Sequence, residues 1–382
     1  MESHETDGRI FVFVLVFISL IILWEKKVPH VSSSVFALVL GMCVSQANIS
    51  FPVDFAPELF LYLMLPPMLL HSSFNFEIES LKLNWVGSLT FASLGTLFCV
   101  GWIAYGILVW SYYYELDISL PRALVYASVL APTDTVATIS LTRSLDIANP
   151  YIFNVLENES VMNDAISVVL VRLFRQIDES DHGLSKWTPL SIVFWSLLTT
   201  CASILFGMFV GVVLNRVSTK SLTIHYLCAL LVYGVSECLG LSGILGLFTY
   251  GAVLNPPEAF RESVSSISTI VEAYVYLTLG LALHTYERTY FMVSFLVFVS
   301  CMTGRVWMTF LFGTCLRARI SRHWSLRSML FFSMCGVRGA ISYALSMSLQ
   351  DEFIKSTTFV VIVCTIFVFG TLQKCLLRML LM

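Results

Sequence analysis

Apolar residues run along this chain in long blocks, and short stretches of charged residues, proline and glycine separate them. Blocks of about 15 to 30 residues match what an α-helix needs to cross the roughly 30 Å hydrocarbon layer of a bilayer. The pattern predicts helices near residues 10–24, 31–47, 56–72, 85–113, 122–142, 152–175 and 189–215. It predicts others near 222–236, 240–256, 264–285, 290–317, 325–349 and 355–381. In hydrocarbon every backbone N–H and C=O has to be bonded within the protein, and helices satisfy that within each block. The expected fold is an all-α polytopic membrane protein with about thirteen transmembrane helices, its first partner the lipid bilayer.

Composition strengthens this reading. Of 382 residues, 57% are apolar and 12% are charged, against about 25% charged in soluble domains. Mean hydropathy is +0.82. The spans leave hardly any chain for a domain outside the membrane, so no cytosolic regulatory domain is expected. A net charge of −3 with scattered Lys and Arg provides no basic face, which excludes nucleic acid as a partner. The ten cysteines nearly all fall inside apolar runs without a CxxC pair, and read as small apolar residues rather than ligands. The first residues are acidic, and no cleavage pattern precedes Trp24-Glu-Lys-Lys27, so the first apolar run is expected to remain as a helix.

Lys and Arg in the connections set the orientation. With the N-terminus outside, the inner connections hold Lys26, Lys27, Arg216, Lys220, Arg317, Arg319, Arg322 and Arg327. The outer ones are poorer in base, with Arg122, Arg172 and Arg175 set beside Glu115, Asp117 and Asp178. Of two glycosylation sequons, Asn48-Ile-Ser falls in an outer loop, whereas Asn158-Glu-Ser lies within a span and reads as a chance match.

Two predicted spans are interrupted, the fifth at Ala131-Pro-Thr-Asp134 and the twelfth at Cys335-Gly-Val-Arg-Gly339. An odd separation of spans makes these two cross the membrane in opposite directions, as expected of inverted repeats joined by the seventh helix. Pro and Gly can also produce a plain kink. An Asp in one break and an Arg in the other argue instead for a transport site.

Asp134, Glu159, Asp164, Glu237, Glu272, Arg305 and Arg338 all fall within predicted spans. Each costs about 2.5 to 3.5 kcal/mol at the bilayer centre on insertion scales, so they must pair, protonate or face water. Acids outnumber bases, and a carboxylate without a fixed cation in such surroundings takes a proton or a metal cation. The densest cluster is Glu157-Asn-Glu-Ser-Val-Met-Asn-Asp164 on the sixth helix. Glu159 and Asn163, four apart, share a face, with Asp164 turned by about 100°. Asp164, Asn163, Thr133 and the carbonyls freed by the fifth-helix break could supply the oxygens that a hard alkali cation needs. Glu159 and Arg305 form the natural opposite-charge pair, with Glu159 as a second proton carrier the alternative. Glu237 and Glu272 could each lie at a helix end or in a pore lining. No HExxH, Ser/His or Cys/His set points to a membrane enzyme.

At these residues the chain resembles the monovalent cation/proton antiporter superfamily, on the branch of the animal-type sodium/proton exchangers. Leu65-Pro-Pro-Met-Leu-Leu70 is similar to the family's LPPIIL, Asn158-Glu-Ser-Val-Met-Asn-Asp164 to GESLLND, and Leu241-Ser-Gly-Ile-Leu245 to LSGI. Thr303-Gly-Arg-Val306 is similar to ARV, and Gly336-Val-Arg-Gly-Ala-Ile341 to GLRGAI. The resemblance implies that Asp164 binds Na⁺ and H⁺ with Asn163 as its partner, that Glu159 bridges to Arg305, and that Asp134 and Arg338 are the charges of the two breaks. It places Glu272 before the family's LIFIFLG run. It implies one membrane transport domain over 1–382, with core helices about 85–175 and 290–381, a scaffold about 10–72 and 222–285 that dimerises with a second copy, and a linker helix at 189–215. The chain departs from the family in having Pro132-Thr-Asp134-Thr135 where the family has ATDPV, one extra residue before Glu159, and Asn158 in place of Gly.

The expected activity is electroneutral exchange of Na⁺ for H⁺ by alternating access of the elevator type, both ions competing for Asp164 and no cofactor taking part. Asn163 supports neutral stoichiometry, because an Asp there would add a second titrating charge. The alternatives are a K⁺-preferring exchanger of an internal compartment and a transport-inactive homologue. The expected location is the plasma membrane or an organelle membrane.

Overall fold

The computed structural model describes residues 2–27, 33–46, 60–76, 78–134, 150–181, 189–217, 221–282, 290–319, 324–349 and 351–381. Among them every regular element is helical. The chain opens with α1 (Glu2–Lys27) and α2 (Ser33–Gln46), then a π-helical turn, Phe60–Met64, leads into α3 (Leu65–Asn75). Next, α4 (Ile78–Leu89) continues through a second π-helical segment, Thr90–Gly95, into α5 (Thr96–Tyr113). There follow α6 (Leu120–Val129), α7 (Pro150–Asp181), α8 (Pro189–Val217), α9 (Leu222–Cys238), α10 (Gly243–Val253) and α11 (Glu258–Leu281). The last part holds α12 (Phe291–Arg319), α13 (Leu326–Met334), α14 (Ala340–Ser348) and α15 (Glu352–Leu381).

The helices lie where the hydropathy blocks place them, with ends shifted by a few residues. Among the described residues five helical segments are long and apolar enough to cross a membrane on length and composition alone, fewer than the roughly thirteen expected. Shorter apolar helices such as Ser34–Gln46 and Gly243–Val253 accompany them. The remainder fail such a count for physical reasons: α7 carries the charged cluster, and α6, α13 and α14 are segments of interrupted spans. The second half of the fifth predicted span lies outside the described residues, as does Asn48.

Local chemistry explains where the interrupted helices begin. The Ser119 hydroxyl accepts from the Arg122 N–H at the start of α6, with Pro121 in the first turn, and Ser325 accepts from the Ser328 N–H at the start of α13. Both are Ser N-caps satisfying an end N–H. Asp351 does the same for α15, accepting from the N–H groups of Phe353 and Ile354. Its other oxygen binds the Arg122 guanidinium at 2.6 Å, which ties the start of α6 to the start of α15.

In lipid, helices associate by close packing rather than by water exclusion, so small residues matter at crossings. Gly41 of α2 faces the Leu277 carbonyl and Gly280 of α11 faces the Leu38 carbonyl, so that a Cβ at either would collide with backbone. One large apolar cluster joins α1, α2, α3 and α9 to α11 with the inward faces of α7, α14 and α15. Two smaller clusters lie beside it. One joins α5, α6, α12 and α15, and the other packs Phe91, α7, α12 and α13 around Trp324 and Phe332.

Candidate functional site

The two interruptions meet. After α6 the chain leaves the helix through Ala131 to Asp134, and between α13 and α14 it runs without helix through Cys335 to Gly339. The Asp134 N–H donates to the Val337 carbonyl at 2.8 Å, so one broken segment is bonded to the other. Gly339 is the N-cap of α14, and a Cβ there would lie 2.7 Å from the Asp134 Cβ. Only glycine allows this approach. Arg338, fully buried, donates from Nη1 to the carbonyls of Ala131 at 2.7 Å and Pro132 at 3.1 Å. These are carbonyls that the break releases from helical bonding, and a guanidinium satisfies them without a carboxylate partner.

Asn163 gathers the rest of the crossing. Its amide nitrogen donates to the Ala131 carbonyl at 2.9 Å and to Thr133 Oγ1 at 3.3 Å. Its amide oxygen accepts from Thr96 at 3.0 Å and from Ser167 at 3.3 Å. Ser160, one turn earlier on α7, donates to the Thr133 carbonyl at 2.7 Å. Of the carbonyls freed by the break, that of Ala131 accepts from both Arg338 and Asn163, whereas those of Pro132 and Thr133 each accept one donor among the described residues. Asn163 therefore braces the break. Thr96 reaches it from the first residue after the π-helical segment, a kind of distortion often found at functional sites.

Glu159 and Arg305 form a bidentate ion pair at 2.5 and 2.9 Å, with 1% and 2% of their side chains exposed. The guanidinium also stacks 5.0 Å from the centre of the Phe332 ring. Asn158 donates to Ser88 at 3.1 Å and is buried, which removes it as a glycosylation site.

Asp164 differs from all of these. It is partly exposed, it lies close enough to Asp134 and Glu159 to interact electrostatically, and its carboxylate makes no hydrogen bond or ion pair with any described residue. With Asp134, Glu159, Arg305 and Arg338 it makes a cluster of three carboxylates and two guanidiniums. Fully ionised, the cluster has one net negative charge.

The other two predicted acids sit elsewhere. Glu272, on α11, accepts from Ser34 of α2 at 3.1 Å. Glu237 ends α9, accepts from the Gly243 N–H at 2.8 Å, and pairs with Arg172 of α7 at 2.6 Å. Arg172 also donates to the Leu241 carbonyl at 2.7 Å. Sequence reasoning missed Thr96, Ser160 and Ser167, because hydroxyls in apolar helices usually bond their own helix. It missed Tyr276 too, whose hydroxyl donates to Asp134 Oδ2 at 3.2 Å. A signal was present for Ser160, Ser167 and Tyr276, each within about a turn of Glu159, Asp164 or Glu272, but not for Thr96, which is far from any charged position in the sequence.

Comparison with known proteins identifies the family to which the chain belongs. The sequence profile of the family described as sodium/hydrogen exchanger, transmembrane, matches residues 12–382. Sodium/hydrogen exchanger 1 of Dictyostelium discoideum is 25% identical over 414 residues, covering 99% of this chain and 61% of that protein. Human sodium/hydrogen exchanger 8 is 25% identical over 359 residues, covering 85% of this chain and 61% of that protein. The low-affinity Na(+)/H(+) antiporter NhaS1 of Synechocystis is 24% identical over 375 residues, covering 91% of this chain and 68% of that protein. This chain thus spans about 61% of the length of the first two relatives. A solved structure of the sodium proton antiporter MjNhaP1 from Methanocaldococcus jannaschii superposes over the whole of both chains with a TM-score of 0.74 at 19% identity. A second structure of that antiporter gives 0.79 at 18%, covering 100% of this chain and 99% of that one. The match to residues 12–382 makes this integral membrane chain a member of the transmembrane sodium/hydrogen exchanger family.

Proposed function

We propose that the chain exchanges Na⁺ for H⁺ one for one, both ions competing for Asp164 as the site is exposed to one side of the membrane and then to the other. The observation that carries this reading is the contrast at the crossing. Glu159, Asn163, Asp134 and Arg338 all have side-chain bonds to protein, whereas the Asp164 carboxylate has none among the described residues. A carboxylate left open beside a net negative cluster attracts one positive charge, which a proton or an alkali cation can supply. Asn163 adds no titrating charge of its own, so replacing a cation by a proton leaves the loaded site equally neutral.

In this reading α4 to α7 and α12 to α15 move as the core against a scaffold of α1 to α3 and α9 to α11, with α8 linking them. Two copies associate through their scaffolds, and the protein works as a secondary transporter without a cofactor. The names of the relatives, sodium/hydrogen exchangers and antiporters, support the ion pair chosen. The test is a proteoliposome assay of internal pH driven by Na⁺, K⁺ or Li⁺ gradients, on the wild-type chain and on Asp164→Asn. Na⁺-driven proton flux that Asp164→Asn loses, with the variant still folded, is the expected result. Flux retained by Asp164→Asn would overturn the assignment, and flux driven by K⁺ alone would replace Na⁺ as the substrate.

A further inference from the structure

The contact between the two groups of helices is largely apolar. Val168, Val337, Ala340 and Leu345 pack in one cluster with Val275, Tyr276 and Leu277 of α11. Contacts of that kind have no preferred direction, so one group can slide past the other at little cost. Tyr276 adds a directional contact. Its side chain is 1% exposed, and its hydroxyl crosses the contact to donate to Asp134 Oδ2 at 3.2 Å. Ala340, the first residue of α14, lies in the same apolar cluster as Tyr276. One residue of α11 therefore bonds the acid that ends one broken segment and shares a cluster with the residue that begins the helix after the other.

This arrangement differs from the other bonds of the crossing. Arg338, Asn163 and Ser160 bind the first break from within the same group of helices, so those bonds can travel with it. Tyr276 binds it from the opposite group. If the groups shift relative to one another, Tyr276 and Asp134 separate, and the bond exists in one end state only. A hydrogen bond to a carboxylate is stronger than one between neutral groups, and stronger again away from water.

We propose that Tyr276 is a positioning residue of the transport cycle, its hydroxyl holding Asp134 against α11 in the arrangement seen here, so that leaving this state requires the bond to break. This inference rests on the alternating-access reading above. Loss of one hydrogen bond to a charged acceptor corresponds to a shift of about ten-fold or more in the equilibrium between end states. The phenyl ring of a Tyr276→Phe variant keeps the packing and removes only the hydroxyl.

The test uses the full chain in lipid nanodiscs and in proteoliposomes. In nanodiscs, Tyr276→Phe is expected to speed deuterium uptake about ten-fold at the amides of Asp134 and residues 337–340. In the Asp134→Asn background the same change is expected to add nothing, since its partner is altered already. In proteoliposomes, Tyr276→Phe is expected to change the half-saturating Na⁺ concentration at least three-fold, and Tyr274→Phe on the same helix to leave it unchanged. Equal acceleration of uptake in both backgrounds would mean that the hydroxyl acts through packing, and would overturn the proposal. A wild-type chain that moves no cation would overturn the function reading and this inference with it. A wild-type chain that exchanges normally, with Tyr276→Phe matching it in uptake and in Na⁺ dependence, would overturn this inference alone.

Discussion

In a Glu159→Gln variant the Arg305 guanidinium keeps its buried place but loses its counter-charge. Both side chains are at most 2% exposed, so no water can take over the role, and the ion pair is bidentate at 2.5 and 2.9 Å. Removing one partner of such a pair costs about 3 to 5 kcal/mol, because the other charge is left buried and uncompensated. Gln retains one carbonyl acceptor, and one net hydrogen bond returns about 1 kcal/mol. The expected loss for Glu159→Gln is therefore about 2 to 4 kcal/mol, and for Arg305→Met about 3 to 5 kcal/mol, Met keeping some of the packing on Phe332. The double variant has no charge to strand, so it is expected to lose about 2 to 4 kcal/mol less than the two single losses together. Equilibrium unfolding in mixed detergent micelles measures all four corners of the cycle. Losses that add to within about 0.5 kcal/mol would refute the coupling, and with it the reading of Glu159 as a structural anchor rather than a carrier of protons.

Solid-supported membrane recordings are expected to show no steady Na⁺-driven current where pH dyes report exchange, since one net charge per cycle would couple to the potential by about 2.3 kcal/mol per 100 mV. Asn163→Asp adds a carboxylate and is the variant expected to produce a current; a sustained current in the wild-type chain would reject one-for-one exchange. Gly339→Ala sets a Cβ 2.7 Å from the Asp134 Cβ, and overpacking of that kind is expected to cost about 1 to 3 kcal/mol with loss of flux; wild-type melting and transport in this variant would show that the crossing can relax. The Arg172 and Glu237 side chains are 39% and 26% exposed, so Glu237→Gln is expected to change stability by at most about 1 kcal/mol, and a larger loss in a detergent melt would contradict that.

The amino-acid sequence by itself determined that the chain is helical and where the described helices lie, because an apolar block long enough to enter hydrocarbon is legible from that block and hardly from its neighbours. It located both breaks, since Pro132, Gly336 and Gly339 interrupt their spans locally. The pairing of Glu159 with Arg305, 146 residues apart, was legible by charge accounting, because a buried acid and a buried base have few other ways to be satisfied. Charge accounting could not find the partner of Glu237. Arg172 looked like part of an outer connection until packing of α7 against α9 and α10 brought it within 2.6 Å. Nor could it foresee that Asn163 binds Ala131, Thr133, Thr96 and Ser167 at once, or that Tyr276 reaches Asp134 from a different group of helices. Hydropathy and periodicity describe one helix at a time. Which polar atoms of different helices meet depends on crossing points set by small residues such as Gly41, Gly280 and Gly339, and those exist only once the helices pack together.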